Sequence, residues 1–295
     1  MGHVAGALLV AVAVAVALEV EMPPSTSEAA PTYGLKPVQS EADLRICGAQ
    51  SVRRKQLSGK YIRGVGVEIG AKHTPLPVDR RGNRVIYVDH KDDAGLAAQF
   101  GAAPAGRERL HVDVVDDGAA LRKFANSSLD FVIANHVLEH LPCALCALAA
   151  WARVLKPGGI IFAAIPSMRH TFDKDRAGPT PLAHHLADLG DPARVARSFL
   201  EHAMEPHVKE AAGLPGARMT RDQAAAFLAT PAAPGLHLHT FTPESIFELV
   251  VGAATRAGVP VAQLAASRAN PTECVAIIQV TRANSNSGAV AFTGR

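Results

Sequence analysis

Two short apolar runs end in a glycine and in an aspartate, residue types that suit a nucleoside ligand. The run 65–70 reads Val-Gly-Val-Glu-Ile-Gly, and the run 84–89 reads Arg-Val-Ile-Tyr-Val-Asp. Such runs are typical of neighbouring buried strands in a parallel sheet. Their carboxyl ends would face the crevice in which open α/β sheets bind ligands. There, Gly70 permits close approach of the backbone, and the Asp89 carboxylate can accept hydrogen bonds from ribose hydroxyls.

Two histidines could supply acid–base chemistry at the same crevice. His136 and His140 bracket Glu139 directly after another apolar run, 129–134. Histidine is the likeliest proton acceptor near neutral pH because its ordinary pKa lies close to 7. His136, nearest the predicted strand end, is the better candidate for a general base. Packing or capping roles stay open for both residues.

Strands that alternate with helices must position these residues. Further strands are predicted at 109–115, with Asp113 taken as the acid at its end, and at 129–134 and 160–165. A helix is predicted over 141–155, because the segment 156–159, Lys-Pro-Gly-Gly, is a stop signal. This alternation predicts an α/β fold with a doubly wound, Rossmann-like sheet.

The segment 129–141, followed by the segment 153–159 and a hydrophobic strand, carries a resemblance to a known family. It resembles the fourth-strand and fifth-strand motifs of class I S-adenosylmethionine-dependent methyltransferases, in particular the type 11 group. The likeness covers roughly residues 65–166. The first motif departs from the family pattern Gly-x-Gly-x-Gly, because Lys72 and His73 stand where further glycines are common. Pro75 and Pro77 also leave little room for the first helix.

The resemblance implies a seven-stranded, mostly parallel sheet with an antiparallel last strand, and S-adenosyl-L-methionine as cofactor. Gly70 would lie near the methionine tail, Asp89 would bind the ribose, and Asp113 with the Val114 backbone would meet the adenine edge. Asn135 would line the donor pocket. The retained first motif also adds Glu68 to the cofactor-binding residues. For the two aspartates, capping of the following helices is the structural alternative.

A long, mostly helical insertion is predicted at 167–240, between the fifth strand and the next helix. In the family, an insertion here commonly forms the acceptor side, so we interpret it as a lid. The candidate substrate-binding residues are Arg169, His170, Asp173, Arg176, His184 and His185. No metal is expected, although a metal site made of His184, His185 and Asp188 remains an alternative, as does a hydrated helical face.

The chain divides into five predicted segments. They are an apolar leader and linker (1–40), the S-adenosylmethionine-binding core (41–166), the inserted lid (167–240), a C-terminal helix with an edge hairpin (241–282) and a disordered tail (283–295). The run 4–18 has the length of a signal peptide but lacks a preceding Lys or Arg. Localisation therefore stays open between the cytoplasm and the secretory pathway or a membrane, and a membrane partner is expected only if 4–18 is retained as an anchor.

Composition narrows the classes of partner. The 295 residues are 48% hydrophobic, enough to bury a full core. The net charge of +3 forms no basic stripe, so nucleic acid is not expected as a partner. Four scattered cysteines do not suggest a disulfide framework. Cys143 and Cys146 fall inside the predicted helix 141–155 and are expected to pack there.

Together these patterns predict an S-adenosylmethionine-dependent methyltransferase that acts on a small or polar acceptor by in-line displacement. A nonenzymatic scaffold that binds S-adenosylmethionine is one alternative, because the first motif is altered. A nicotinamide-dependent oxidoreductase is the other. It would share the ribose acid, but its fingerprint Gly-x-Gly-x-x-Gly and the long helix after it are missing.

Overall fold

A computed structural model describes residues 50–103, 109–189, 191, 194–195, 200–201, 204, 220–228, 237–253, 258–270 and 272–281. The predicted leader and tail, Cys47, His202 and His207 lie outside these residues. None of the described helices is long and apolar enough to cross a membrane.

A seven-stranded sheet forms the centre of the described chain. Its strands are β1 (Gly64–Ile69), β2 (Asn83–Asp89), β3 (Val114–Val115), β4 (Leu129–Asn135), β5 (Leu155–Pro166), β6 (Val261–Asn270) and β7 (Glu273–Val280). Their order across the sheet is β3-β2-β1-β4-β5-β7-β6. The neighbouring pairs among β1 to β5 are parallel, and β7 is antiparallel to β5 and β6. The predicted mostly parallel sheet with an antiparallel last strand is therefore confirmed.

Helices pack against this sheet or follow its strands. They are α1 (Gln50–Tyr61), α2 (Asp93–Phe100), α3 (Ala144–Val154), α4 (Leu182–Asp188), α5 (Arg221–Leu228) and α6 (Pro243–Phe247), with a π-helical turn at Glu248–Ala253. Short 3-10 turns lie at Leu138–His140, Met168–His170 and Phe172–Asp175. As the prolines at 75 and 77 predict, the loop 70–82 between β1 and β2 contains no helix.

The sheet buries a separate apolar layer on each face. Successive residues of β4 alternate between them, with Val132 in one layer and Phe131 and Ile133 in the other. The first layer includes Trp151 of α3, and the second includes Ile62, just after α1. Both faces of β4 are thus covered, which explains why its sequence is almost continuously apolar.

The structure corrects three local predictions. The segment 156–159 lies within β5, next to an irregularity in its pairing with β4, and does not end a helix before the strand. Helix α3 begins at Ala144, and Cys143 is its N-cap. Cys143 and Cys146 form a disulfide, so the expectation that they only pack is wrong.

The Thr-Pro-Glu sequence at 242–244 predicts the start of a helix that runs to about Arg256, and this start is confirmed. Thr242 and Ser245 form a reciprocal capping box, and Pro243 occupies the first turn of α6. Regular α-helix ends at Phe247 and passes into the π-helical turn. The predicted end near Arg256 lies outside the described residues.

Candidate functional site

The carboxyl ends of β1, β2 and β4 form one edge of the sheet, and Gly70 lies at its centre. Gly70 has a left-handed φ of 65°, and its N–H donates to the Val88 carbonyl at 2.9 Å. A Cβ added to it would meet only Val137 Cγ2, at 4.0 Å. The backbone is therefore open to a neighbouring group. Lys72 also has a left-handed φ, 51°, so the backbone keeps a conformation that glycine adopts easily although the residue has changed.

Glu68 and Asn135 present buried acceptors beside Gly70. Glu68 is 1% exposed, and its Oε1 accepts hydrogen bonds from the Leu76 N–H at 2.7 Å and from Asn135 Nδ2 at 3.3 Å. Glu68 Oε2 and Asn135 Oδ1 are buried without a hydrogen-bond partner among the described residues. Burial raises the pKa of Glu68 to about 7, although both hydrogen bonds oppose this shift. An ammonium group has the donors that these two oxygens require.

Asp89 ends β2 and is buried, as predicted for the ribose acid. Its Oδ1 accepts from the His90 N–H at 2.8 Å and contacts His90 Nδ1 at 2.6 Å, and this contact raises the pKa of His90. The half-buried Lys72 lies nearby, with Nζ 3.8 Å from the centroid of the Phe100 ring. Burial lowers the pKa of Lys72, while the charge of Asp89 opposes that shift.

Asp113 does not occupy the position that the sequence predicts. It precedes β3, and its Oδ2 accepts from the Tyr87 N–H at 2.7 Å, whereas Val114 pairs with Val88 inside the sheet. Asp113 therefore lies at the amino end of β3, away from the crevice edge. The acid that follows the carboxyl end of β3 is Asp116, and its N–H donates to the Asp89 carbonyl at 2.9 Å.

The turn after Asp116 was missed as part of the site, although the sequence signals it with an Asp-Asp-Gly run. Asp116 caps the turn by accepting from the Asp117 and Lys123 N–H groups, each at 2.8 Å. A Cβ on Gly118 would lie 2.5 Å from Ile69 Cγ2. Only glycine lets this turn pack so closely on the tip of β1.

His136 follows β4 in a left-handed conformation, with a φ of 53°. Its Nε2 lies 2.9 Å from Glu273 Oε2 and its Nδ1 lies 3.4 Å from Glu139 Oε1; Glu273 also pairs with Arg54. Burial alone would lower the pKa of His136, but the two carboxylates outweigh it and raise the pKa to about 9. His136 is therefore an imidazolium at neutral pH, and this geometry does not support the general-base role that its position in the sequence suggests.

His140 lies one turn further along the chain, against a buried carboxylate. His140 Nε2 is 3.7 Å from Glu139 Oε1, and its ring lies 4.9 Å from that of His237, centroid to centroid. Glu139 is 0% exposed. No local pattern in the sequence assigns His237 to this group, because His237 lies almost a hundred residues downstream of His140.

The six predicted substrate-binding residues differ in burial and in the contacts that they make. Asp173 and Arg176 turn inward: Asp173 Oδ2 lies 2.6 Å from His237 Nδ1, and Arg176 Nη1 donates to the His237 carbonyl at 3.2 Å. Arg169 and His170 are exposed, with Arg169 Nη2 3.8 Å from a Glu244 carboxylate oxygen.

The two remaining residues, His184 and His185, both have rings close to that of His239, at 5.3 Å and 4.8 Å between centroids. His184 Nε2 lies 2.8 Å from Asp188 Oδ2, whereas the His185 ring stacks on Phe241 at 5.8 Å between centroids. Ligand atoms of His184, Asp188 and His239 lie within 4.8 Å of one another, so His239 takes the place that the metal alternative gave to His185. A second set with the same spacing is Glu139, His140 and His237.

Comparison with known proteins gives one family match. Residues 64–163 match the type 11 methyltransferase domain family. This match confirms the resemblance and the enzyme class that the strand motifs predicted, and S-adenosylmethionine is the donor that this class implies. No curated protein matches the chain.

Three similar solved structures have low identity to the chain. A methyltransferase from Methanosarcina mazei is 16% identical, covers 75% of this chain and 95% of its own, and has a TM-score of 0.39. The 1,6-didemethyltoxoflavin-N1-methyltransferase of Burkholderia thailandensis, solved with S-adenosylhomocysteine, is 17% identical, with 82% and 79% covered and a TM-score of 0.41. A methyltransferase from Aquifex aeolicus is 10% identical, with 82% and 94% covered and a TM-score of 0.42.

Proposed function

We propose, from the premise that residues 64–163 form a methyltransferase domain, that the chain transfers a methyl group from S-adenosylmethionine to a small or polar acceptor. When bound, this cofactor supplies an electrophilic methyl group on a sulfonium cation. The observation that carries the proposal is the pair of buried, unsatisfied oxygens, Glu68 Oε2 and Asn135 Oδ1, beside the open backbone at Gly70.

We assign the binding of the donor to residues at the ends of three strands. Glu68 and Asn135 offer acceptors for the ammonium group of the methionine tail, and Gly70 lets the backbone approach it. Asp89, buried at the end of β2, offers a carboxylate for two ribose hydroxyls. Asp116 and Asp117 replace Asp113 as the acids nearest the base, because they follow the carboxyl end of β3. The backbone of this turn is the part we assign to the adenine edge.

The work of the protein in such a displacement is to hold two reactants in line and to exclude water. His136, held as an imidazolium between two carboxylates, serves to orient polar groups rather than to accept a proton. His140 is then the remaining candidate of the two predicted catalytic histidines. Both follow β4 directly, next to the donor residues.

We assign the acceptor side to the segment after β5. A polar acceptor suits the concentration of charged and histidine side chains there, including Asp173, Arg176, His184 and His239. Ser167 pairs with Phe241, and the Met168 N–H donates to the Phe241 carbonyl at 2.8 Å, so the two ends of the insertion meet just after β5. This position supports the assignment of the insertion to the acceptor side.

Calorimetry with S-adenosylmethionine and S-adenosylhomocysteine tests the proposal. The full chain should bind both, and Asn135→Ala should weaken binding by about tenfold or more, since it removes a buried acceptor. Asn83→Ala, at the opposite end of β2, is the matched control, because Asn83 is also partly buried and its Oδ1 accepts a hydrogen bond from the Gly64 N–H at 2.8 Å. Mass spectrometry of an acceptor panel should then detect a mass gain of one methylene together with S-adenosylhomocysteine. Binding without transfer to any acceptor would favour the nonenzymatic scaffold, and no binding would reject the cofactor.

A further inference from the structure

Two histidines and a glutamate converge next to β4, outside the residues assigned to the donor. The ligand atoms of Glu139, His140 and His237 all lie within 4.8 Å of one another. Glu139 Oε1 is 3.7 Å from His140 Nε2, and tetrahedral zinc holds its nitrogen and oxygen ligands about 3.3 Å apart, given bonds near 2 Å. Small side-chain movements would therefore bring these atoms to coordination distance.

The Glu139 carboxylate independently points to a bound cation. It is 0% exposed, and neither oxygen takes part in a hydrogen bond of normal geometry with any described residue. Its neighbours His136 and His140 lie only at ion-pair distances, 3.4 Å and 3.7 Å. The ion pair with His136 offsets part of the cost of burying this charge, but neither carboxylate oxygen gains a hydrogen bond from it. A divalent ion would satisfy this group.

Asp173 holds His237 in the form that binds metals. Asp173 is 1% exposed, and its Oδ2 lies 2.6 Å from His237 Nδ1. A carboxylate only accepts, so Nδ1 is the donor in this contact and Nε2 is the nitrogen that a metal ion would bind. Histidines that bind metals almost always donate their other N–H in this way.

Backbone hydrogen bonds fix the downstream segment against Glu139. The Leu238 and His239 N–H groups both donate to the Glu139 carbonyl, at 2.8 Å and 3.1 Å. The ligand residues from the β4 end and from the insertion therefore meet through main-chain contacts, so their approach does not depend on side-chain orientation alone.

We propose that Glu139, His140 and His237 bind one divalent metal ion of the zinc class, with Asp173 as a positioning residue. Two histidines and a carboxylate leave a coordination position open, as in catalytic zinc sites. A substrate hydroxyl bound there would release its proton to water more easily. The ion would bind an acceptor through an oxygen atom. This use of the ion rests on the proposed function, whereas the metal site itself does not. His140 would then be a ligand and not a base.

The second set, His184, Asp188 and His239, is less suited to a metal. The Asp188 carboxylate already has two charged or polar contacts, with His184 Nε2 at 2.8 Å and with Arg194 Nε at 3.0 Å. An arginine at this distance competes with a cation for the carboxylate. This set therefore serves as the internal comparison for the first.

Calorimetric titration of metal-free protein with Zn²⁺, without S-adenosylmethionine, tests the site. We expect one ion per chain, and Co²⁺ should give the visible absorption of a bound ion. His140→Ala and His237→Ala should each weaken Zn²⁺ binding at least about 100-fold, and Asp173→Asn about 10-fold to 100-fold. His111→Ala is the matched control, because exposed His111 also lies 2.6 Å from a carboxylate, that of Asp93. It should bind Zn²⁺ like the parent protein.

The outcomes separate the metal site from the proposed function. No stoichiometric Zn²⁺ binding, unchanged binding in the His140 and His237 variants, or loss only in His184→Ala would each overturn the site. Thermal melts check folding, and if His237→Ala does not fold, the partly exposed His140 and the isosteric Asp173→Asn decide the question. Zn²⁺ binding that persists in a protein without methyl transfer would leave the site intact and reject only its use in catalysis.

Discussion

His136 Nε2 and Glu273 Oε2 lie 2.9 Å apart although 137 positions separate the two residues in the sequence. The contact spans the end of β5, from the residue after β4 to the first residue of β7. Glu273 also binds Arg54, and His136 also contacts Glu139. Charges of alternating sign thus cross the carboxyl edge of the sheet.

This pairing predicts how stability depends on pH. The pKa of His136 is about 9 in the folded protein, above the ordinary value of 6.5. The folded state therefore keeps a proton that the unfolded chain loses, and the stabilisation is complete below pH 6.5 and is lost as pH rises to about 9. We expect a loss of roughly 1 kcal/mol, because the side chain is partly exposed to solvent. Urea unfolding from pH 6 to 9.5 measures it, and His136→Gln should flatten the slope.

Substitution of Glu68 should stabilise the protein, whereas substitution of His136 removes a stabilising charge. Its pKa of about 7 means that the folded protein must ionise a buried carboxyl above neutrality. Stability should fall as pH rises from about 4.5 to 7, since here too the folded state binds more protons. Glu68→Gln should therefore be more stable than the parent by about 2 kcal/mol at pH 8. At pH 4 the two proteins should unfold at similar urea concentrations, and a constant difference at all pH values would contradict the assignment.

The ribose-binding role proposed for Asp89 can be tested against the nearby Asp113. Asp89→Ala should weaken S-adenosylmethionine binding by about 10-fold to 100-fold, the cost of losing hydrogen bonds to a charged group. Asp113→Ala is the control, because Asp113 lies at the other end of β3. Equal losses of affinity in calorimetry would restore the cofactor-binding role predicted for Asp113.

Gly118 should tolerate no side chain. Gly118→Ala places a Cβ 2.5 Å from Ile69 Cγ2, and we expect a loss of about 1–3 kcal/mol in the free energy of unfolding. Gly59→Ala provides the comparison, because Gly59 lies in α1 with nothing within 4 Å of the added Cβ. That change should stabilise the protein by about 0.5–1 kcal/mol. Denaturant melts of both variants test the packing.

The Cys143–Cys146 disulfide closes a short loop at the start of α3. Peptide mapping without reduction should recover the two cysteines linked to each other. Reduction should lower the free energy of unfolding by roughly 2 kcal/mol, the chain-entropy value for so short a loop. A Cys143→Ser, Cys146→Ser double variant should match the reduced protein and should not respond to reductant. Two free thiols in the native protein would contradict the assignment.

Local signals were enough for much of the fold. The apolar runs predicted the strands, and Pro75 and Pro77 predicted the missing helix between β1 and β2. The prediction failed at Asp113, because β3 is too short for its end to be read from the pattern. The predicted helix 141–155 was placed too early, because the sequence does not reveal that Cys143 caps it.

The sequence by itself determined the mostly parallel character of the sheet, the position of Asp89 at the end of a strand and the Glu68-Ile-Gly70 motif, because these depend on residues close together along the chain. Only the tertiary structure decided the charge state of His136 and the residues that contact His237. One of these residues is Asp173, which lies 64 positions away in the sequence. A pKa, like a set of metal ligands, depends on which groups are neighbours in space. In this protein, the order of the strands brings those groups together.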